Sequence, residues 1–183
     1  MDEIDINFML ILDFETNTQN PYDVIEVGAI KVELQNGIYK VVDTFHRYYY
    51  SKYEVNHRAL EVHKLSPEKI TKLRDDKDYA EYFEDDYEFI NFCKSCNTLV
   101  AHNITFELRF LGEMVSFDNH FCTMKENKYI VNALNIRGNI KPPKLIEVCE
   151  YYNIDFDTNQ YHSAIYDVTK TLDILNAMDY KVM

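Results

Sequence analysis

Glycine is scarce in this sequence. Only four occur in 183 residues, and none falls in a G-x-G-x-x-G or Walker-type loop. Dinucleotide-binding and P-loop functions are therefore set aside. Long hydrophobic runs are missing too: no apolar stretch approaches the roughly 18 residues that a membrane span requires. The N-terminus, Met1-Asp2-Glu3-Ile4-Asp5, is acidic where a signal peptide is basic, and the apolar run after it is short. The expectation is a cytoplasmic protein with no membrane partner. Cysteines are few, and Cys93, Cys96, Cys122 and Cys149 fit free thiols in a reducing compartment. Cys93 and Cys96 form a lone C-x-x-C. Zinc would need Cys122 and Cys149 to converge on it from far away in sequence, so packed thiols are the default. Positive charge is short: 19 Lys and Arg against 31 Asp and Glu leave a net charge of −12. That argues against a broad phosphate-gripping surface for duplex DNA. It leaves room for chemistry on short or single-stranded ends, where metal ions supply the local positive charge.

What is present is organised around Phe8-Met9-Leu10-Ile11-Leu12-Asp13-Phe14-Glu15-Thr16. Five apolar residues open a buried strand, which ends on two acids spaced two apart. Side chains alternate along a strand, so Asp13 and Glu15 point the same way. Two acids on one face repel each other and resist desolvation. The pair is either half of a divalent-metal site or the end of a strand running out into an acidic loop.

The length suits one domain, 1–183, with a full core. After a turn-rich segment, residues 22–33 form a second strand. Asn36-Gly37 signals a hairpin, and residues 38–48 return as a third, antiparallel strand. Residues 47–53 mix aromatic and basic side chains, and half-buried tyrosines at a strand end are favoured there over base stacking. Short helical pieces fill 54–75, with Ser66 as a cap and Pro67 at the first helical position. Residues 79–94 predict one amphipathic helix. Ala80, Phe83, Tyr87, Ile90 and Cys93 face inward, and Glu81, Glu84, Asp85 and Glu88 face solvent. A fourth strand covers 97–101. Asn103 can cap a helix over 104–115 whose stripe is Phe110, Leu111 and Met114. Residues 119–123 suit a fifth, edge strand, with helical pieces near 124–134. A helix over 143–152 turns Leu145, Val148, Cys149 and Tyr152 inward. The last helix, 163–178, buries Ala164, Val168, Thr171, Leu172, Leu175 and Met178. It runs nearly to the C-terminus, so no long partner-binding tail is expected.

Two further acids sit on core-facing stripes. Glu107 lies one turn into its helix, either seeking a partner or reaching solvent with help from the helix dipole. Asp167 is on the inner face of the last helix, with His162 just before it. With Asp13 and Glu15 these make four carboxylates, a donor set suited to hard cations such as Mg2+. Two such ions about 4 Å apart can clamp the attacking water and the leaving oxygen of a phosphodiester. His162 could deprotonate the water, since an ordinary imidazole titrates near pH 6.5 (about). A lone histidine is more often structural, and it is the neighbouring Asp167 that favours the catalytic role.

At these residues the sequence resembles a known family. Asp13-Phe14-Glu15-Thr16, Val100-Ala101-His102-Asn103-Ile104-Thr105-Phe106-Glu107 and His162-Ser163-Ala164-Ile165-Tyr166-Asp167 resemble the three exonuclease motifs of the DEDD superfamily. H-x-A-x-x-D marks its DEDDh branch, and the order and spacing look like the proofreading (epsilon-type) exonuclease subunits of bacterial DNA polymerase III. Asp23–Ala29, Glu61–Ser66 and Leu145–Ile154 are similar to family segments between the motifs. The resemblance covers about residues 8–178. It implies an α/β, RNase H-like fold: a five-stranded mixed sheet, strand two antiparallel, flanked by helices. It implies release of nucleoside monophosphates from the 3′ end of single-stranded DNA or RNA, with two Mg2+ or Mn2+ ions. By carry-over Asp13, Glu15, Glu107 and Asp167 are metal ligands and His162 is the general base. Phe14, Thr16, His63, His102, Asn103 and Phe106 match positions that hold substrate. A polymerase or a second copy of the chain is a possible partner. An oligoribonuclease-like role on short RNA, and a catalytically weakened binding subunit, are the alternatives. The sequence departs from the family pattern at three places. Glu107 replaces an Asp, Asn17-Thr18 replaces Thr-Gly, and Lys64 replaces a common Gly. From sequence, Glu107→Asp is expected to keep or raise activity.

Overall fold

Hydrophobic alternation decides where the first strand goes. In a computed structural model, which describes residues 8–75 and 78–178, β1 (Phe8–Thr16) turns Leu10, Leu12 and Phe14 to one side and Met9 and Ile11 to the other. All five are buried. A strand buried on both faces must be covered on both, which places it inside the sheet. The acidic N-terminal segment lies outside the described residues.

The sheet adds β2 (Val24–Gln35), β3 (Ile38–Tyr48), β4 (Cys96–Ala101) and β5 (Asn119–Cys122), in the order β3-β2-β1-β4-β5. β2 is antiparallel to both β1 and β3, whereas β4 and β5 run parallel to β1. This is the five-stranded mixed sheet expected for the RNase H-like arrangement. Asn36 and Gly37 turn the β2–β3 hairpin with φ of 52° and 80°, the left-handed pair that matches strand twist.

The helices are α1 (His57–His63), α2 (Pro67–Arg74), α3 (Tyr87–Cys93), α4 (Ile104–Leu111), α5 (Thr123–Glu126), α6 (Lys128–Val131), α7 (Leu145–Tyr151) and α8 (Ala164–Ala177). Phe89 and Cys93 of α3 and Ile104, Phe110 and Leu111 of α4 cover the Leu10–Leu12–Phe14 face. Val168, Leu172 and Leu175 of α8 cover Met9 and Ile11. Among the described residues, no helix is long and apolar enough to cross a membrane. All four cysteines are free and buried.

The single helix expected over 79–94 is broken. Only a 3-10 turn at Phe83–Asp85 precedes α3. Asp86 explains the break: its buried carboxylate caps α3 by accepting the Glu88 and Phe89 amides, and also takes the Arg47 guanidinium and the Tyr49 hydroxyl. Upstream, Arg74 donates to the carbonyls of Tyr79 and Ala80, acceptors that a helix there would need. Tyr87, expected inside, is exposed. α4 stops at Leu111 instead of residue 115, and Asn103 stands at its N-cap position without a side-chain capping bond. Tyr49 is fully buried, with Tyr48 and Tyr50 half-buried beside it.

One contact fixes α8 over the sheet. A Cβ on Gly28 of β2 would lie 2.3 Å from the Ala164 carbonyl carbon, so only a hydrogen fits between β2 and the start of α8. Gly28→Ala is expected to push α8 outward and to cost about 1–3 kcal/mol of stability. Urea unfolding of the variant beside the parent checks this.

Candidate active site

The cleft opens where β1 outruns its neighbour. Pairing with β4 stops at Ile11–Val100, and a register irregularity falls between Glu15 and Thr16. Asp13 and Glu15 share the side of β1 that α8 covers, so Asp167, in the first turn of α8, comes down beside them. Glu107 reaches the same place from α4, on the opposite layer. The resulting cleft holds about 250 Å3 and is lined by Asp13, Glu15, Glu107, His162 and Asp167, with Phe14, His102, Asn103, Phe106, Leu145 and Tyr161 around them. Within it, ligand atoms of Glu15, His162 and Asp167 lie within 4.8 Å of one another. Asp13 and Glu107 line the cleft without joining that tight group.

Two carboxylates stand alike. The backbone at Phe14 partly offsets the upward shift of Glu107, as that at His162 does for Asp167. In each carboxylate one oxygen, Glu107 Oε2 or Asp167 Oδ1, is buried with no partner. Such an oxygen is costly unless a ligand or ion meets it. His162 adopts a left-handed conformation, φ 66°, which a non-glycine residue adopts only when held. The His162 ring stacks on Tyr161 with centroids 3.8 Å apart, and its Nδ1 is 3.9 Å from Glu15 Oε1.

The acids perturb one another. Burial, then Asp167 and Glu26, push Asp13 well above the ordinary carboxylate range. Glu15 rises through burial, Asp13, Asp167 and Glu26, and Glu107 through burial, Asp13 and Glu15. Asp167 is raised to about 7, mainly by burial. Burial, with Lys144 nearby, lowers His162, so its imidazole is neutral at physiological pH. These groups fit divalent metal: hard oxygen donors, mutual repulsion and two orphaned oxygens.

The remaining site residues divide. Asn103 is exposed at the cleft, and Phe106 is half-buried against Phe110. The ring of Phe14 is in the core, packed on Phe83. Both ring nitrogens of His102 are engaged, by Thr123 Oγ1 and the Pro143 carbonyl, each at 3.0 Å. His102 therefore props the wall of the cleft. Thr16 and His63 do not line it; Thr16 is buried at the end of β1, and His63 faces a neighbouring cleft. Sequence reasoning passed over Glu26, which pairs across the sheet with Glu15 and is buried against His46 at 2.8 Å and Ser163. Its signal was an acid inside an apolar strand. Asn17 also gained a role: it bonds Ser51, the Glu54 carbonyl and the Asn56 amide, tying the end of β1 to the start of α1.

The model of the exonuclease (RNase_T) family matches residues 10–175, and the chain belongs to that family, whose members generally use divalent metals. Ribonuclease T of Haemophilus ducreyi is 33% identical over 81 residues, which span 44% of this chain and 38% of that protein. The match thus covers well under half of that curated relative. Among solved structures, exonuclease X in complex with 5′ overhanging duplex DNA superposes with a TM-score of 0.62 at 16% identity, covering 94% of each chain. Escherichia coli exonuclease I in complex with a dA16 oligonucleotide gives 0.67 at 14% identity, over 93% of this chain and 40% of the other. A 3′-exonuclease that recognises the histone mRNA stem-loop gives 0.64 at 13% identity, over 94% and 81%. At these identities the superpositions show the fold.

The raised carboxyls make stability depend on pH. Their folded-state values exceed unfolded ones, so their contribution is full below the unfolded range and is lost as pH rises through the folded values, about 7 for Asp167. Metal binding should reverse that loss. At a hundredfold excess over Kd, Mn2+ is expected to stabilise by about 2.7 kcal/mol, raising Tm by roughly 5–10 °C. The rise should be larger near pH 8 (about) than near pH 6 (about), as thermal melts with and without EDTA will show.

Proposed function

We propose that this chain is a metal-dependent 3′–5′ exonuclease of the DEDDh type, releasing nucleoside monophosphates from the 3′ end of single-stranded DNA or RNA. The observation that carries this is the pair of orphaned, buried oxygens on Glu107 and Asp167, in one cleft with Asp13, Glu15 and His162. Asp13, Glu15, Glu107 and Asp167 would hold two divalent ions, Mg2+ or Mn2+, whose charge offsets that of four carboxylates. When bound, such ions supply Lewis-acid stabilisation to the attacking and leaving oxygens of an in-line displacement. His162 accepts the proton of the attacking water. Its neutral ring, braced by stacking on Tyr161, is ready for that task. Asn103 and Phe106 orient the terminal nucleotide at the open rim. The motif order supports kinship with polymerase-associated proofreading subunits, and a polymerase is the partner class we propose on that basis.

The geometry changes the expectation for position 107. The extra methylene carries the Glu107 carboxylate into the cleft it shares with Asp13 and Glu15. A shorter Asp would withdraw the carboxylate or draw α4 inward. Glu107→Asp is therefore expected to lose about tenfold to a hundredfold in kcat/KM, the scale of an ångström-sized misplacement.

The direct test is digestion of 5′-labelled single-stranded DNA and RNA, side by side. We expect stepwise shortening from the 3′ end with Mg2+ or Mn2+, and none with EDTA or in Asp13→Ala. His162→Asn should fall by about 10²–10⁴ while still binding metal. Metal binding without any nucleotide release from wild type would contradict the assignment and favour a binding subunit.

A further inference from the structure

Past His162, away from the carboxylates, lies a second cleft of about 390 Å3, within the range of ligand-sized sites. It shares Tyr161 and His162 with the catalytic cleft, so the two adjoin at the general base. Its walls carry Lys64, Lys69, His63, Tyr48 and Gln160. In a chain of net charge −12, several cations are tied to acids: Arg47 to Asp86 and Glu88, Lys52 to Glu84, Lys141 to Glu147, Lys170 to Asp173. Lys64 and Lys69 have no ion-pair partner among the described residues, though the cleft they border contains a buried acid. That acid, Glu26, is engaged by His46 and Ser163.

Two independent features point to a ligand. His63 Nδ1 accepts the Leu65 amide at 2.9 Å, so the neutral ring carries its hydrogen on Nε2. That atom is buried and has no acceptor in the protein, and His63 as a whole is only 7% exposed. Next to it, Lys64 closes α1 with φ 58° and ψ 24°. This left-handed cap favours glycine, yet the sequence places a cation there.

We propose that the strand leaves the active site through this second cleft. Lys64 and Lys69 bind backbone phosphate on the 5′ side of the scissile bond, and His63 Nε2–H donates to an oxygen of the same nucleotide. The proposal rests on the exonuclease assignment above. With the terminal nucleotide between the carboxylates and Phe106, the rest of the strand must cross the rim of the cleft. Past His162 that rim offers two unpaired cations and a buried donor without an acceptor.

The test compares wild type, the double variant Lys64→Ala/Lys69→Ala, and Lys64→Gly on two substrates. One is a 5′-labelled single strand. The other is thymidine 5′-monophosphate p-nitrophenyl ester, which presents a terminal nucleotide and a phosphodiester without any strand. For the double variant we expect the oligonucleotide KM to rise about tenfold more than the ester KM, with little change in kcat. The dependence of log KM on log salt should flatten by about 1.4, two phosphate contacts at about 0.7 each. Lys64→Gly should melt higher than wild type yet share the KM loss, which separates binding from folding. Equal losses on both substrates, or an oligonucleotide KM and salt slope like those of wild type, would overturn the proposal. Anisotropy of a fluorescent strand in EDTA keeps the test independent of hydrolysis: weaker binding by the variants supports the cleft, and undiminished binding overturns it even if no enzyme form cleaves.

Discussion

Four carboxylates gathered at the end of one buried strand constrain everything around them. Asp13 and Glu15 cannot separate, because strand alternation fixes them on one face. Glu107 and Asp167 arrive from opposite layers, and each has one oxygen buried and left bare. Burial and repulsion from neighbouring acids raise all four above their ordinary range. A fold that evolved only for stability would place apolar side chains here, since burying unpaired like charges is among the costlier arrangements a protein can hold. The cluster makes physical sense as a cation site whose strain in the metal-free protein is relieved on binding.

The surrounding architecture serves that placement. β1 is central and buried on both faces, which gives the carboxylates a rigid base. β4 stops early and so leaves the edge of β1 open for Glu107. Gly28 admits α8 to within hydrogen-atom distance of β2, bringing Asp167 and the His162 loop onto the cleft. Asn17 and Asp23 knit the far end of β1 to the segment that carries α1, where Asp23 accepts the Thr18 amide at 2.9 Å and the Ser51 hydroxyl at 2.7 Å. The departure from the family's Thr-Gly at positions 17 and 18 is thus filled by a side-chain network.

Much of this was legible in the sequence because it follows from short-range periodicity. The apolar run 8–12, the Asn36-Gly37 turn and the inner stripe of α8 each set an element and its buried face. That Asp13, Glu15, Glu107, His162 and Asp167 would meet in one cleft was legible through motif order. What escaped depends on contacts between distant residues. Asp86 ends the 79–94 helix pattern only because Arg47 and Tyr49 reach it from β3 and the residue after. His102 lines the cleft as expected, but the Thr123 and Pro143 contacts of its two nitrogens come from far along the chain. Glu26 joins the site through cross-strand register, which no local pattern displays.

The central claim is that the carboxylates form a divalent-metal site, and calorimetric titration with Mn2+ tests it most directly. We expect saturable binding of two ions per chain near neutral pH. Protons should be released, visible as a buffer-dependent heat, because Asp167 titrates near 7 and must lose its proton to ligate. Absence of saturable binding, or binding that Asp13→Asn and Asp167→Asn leave intact, would contradict it.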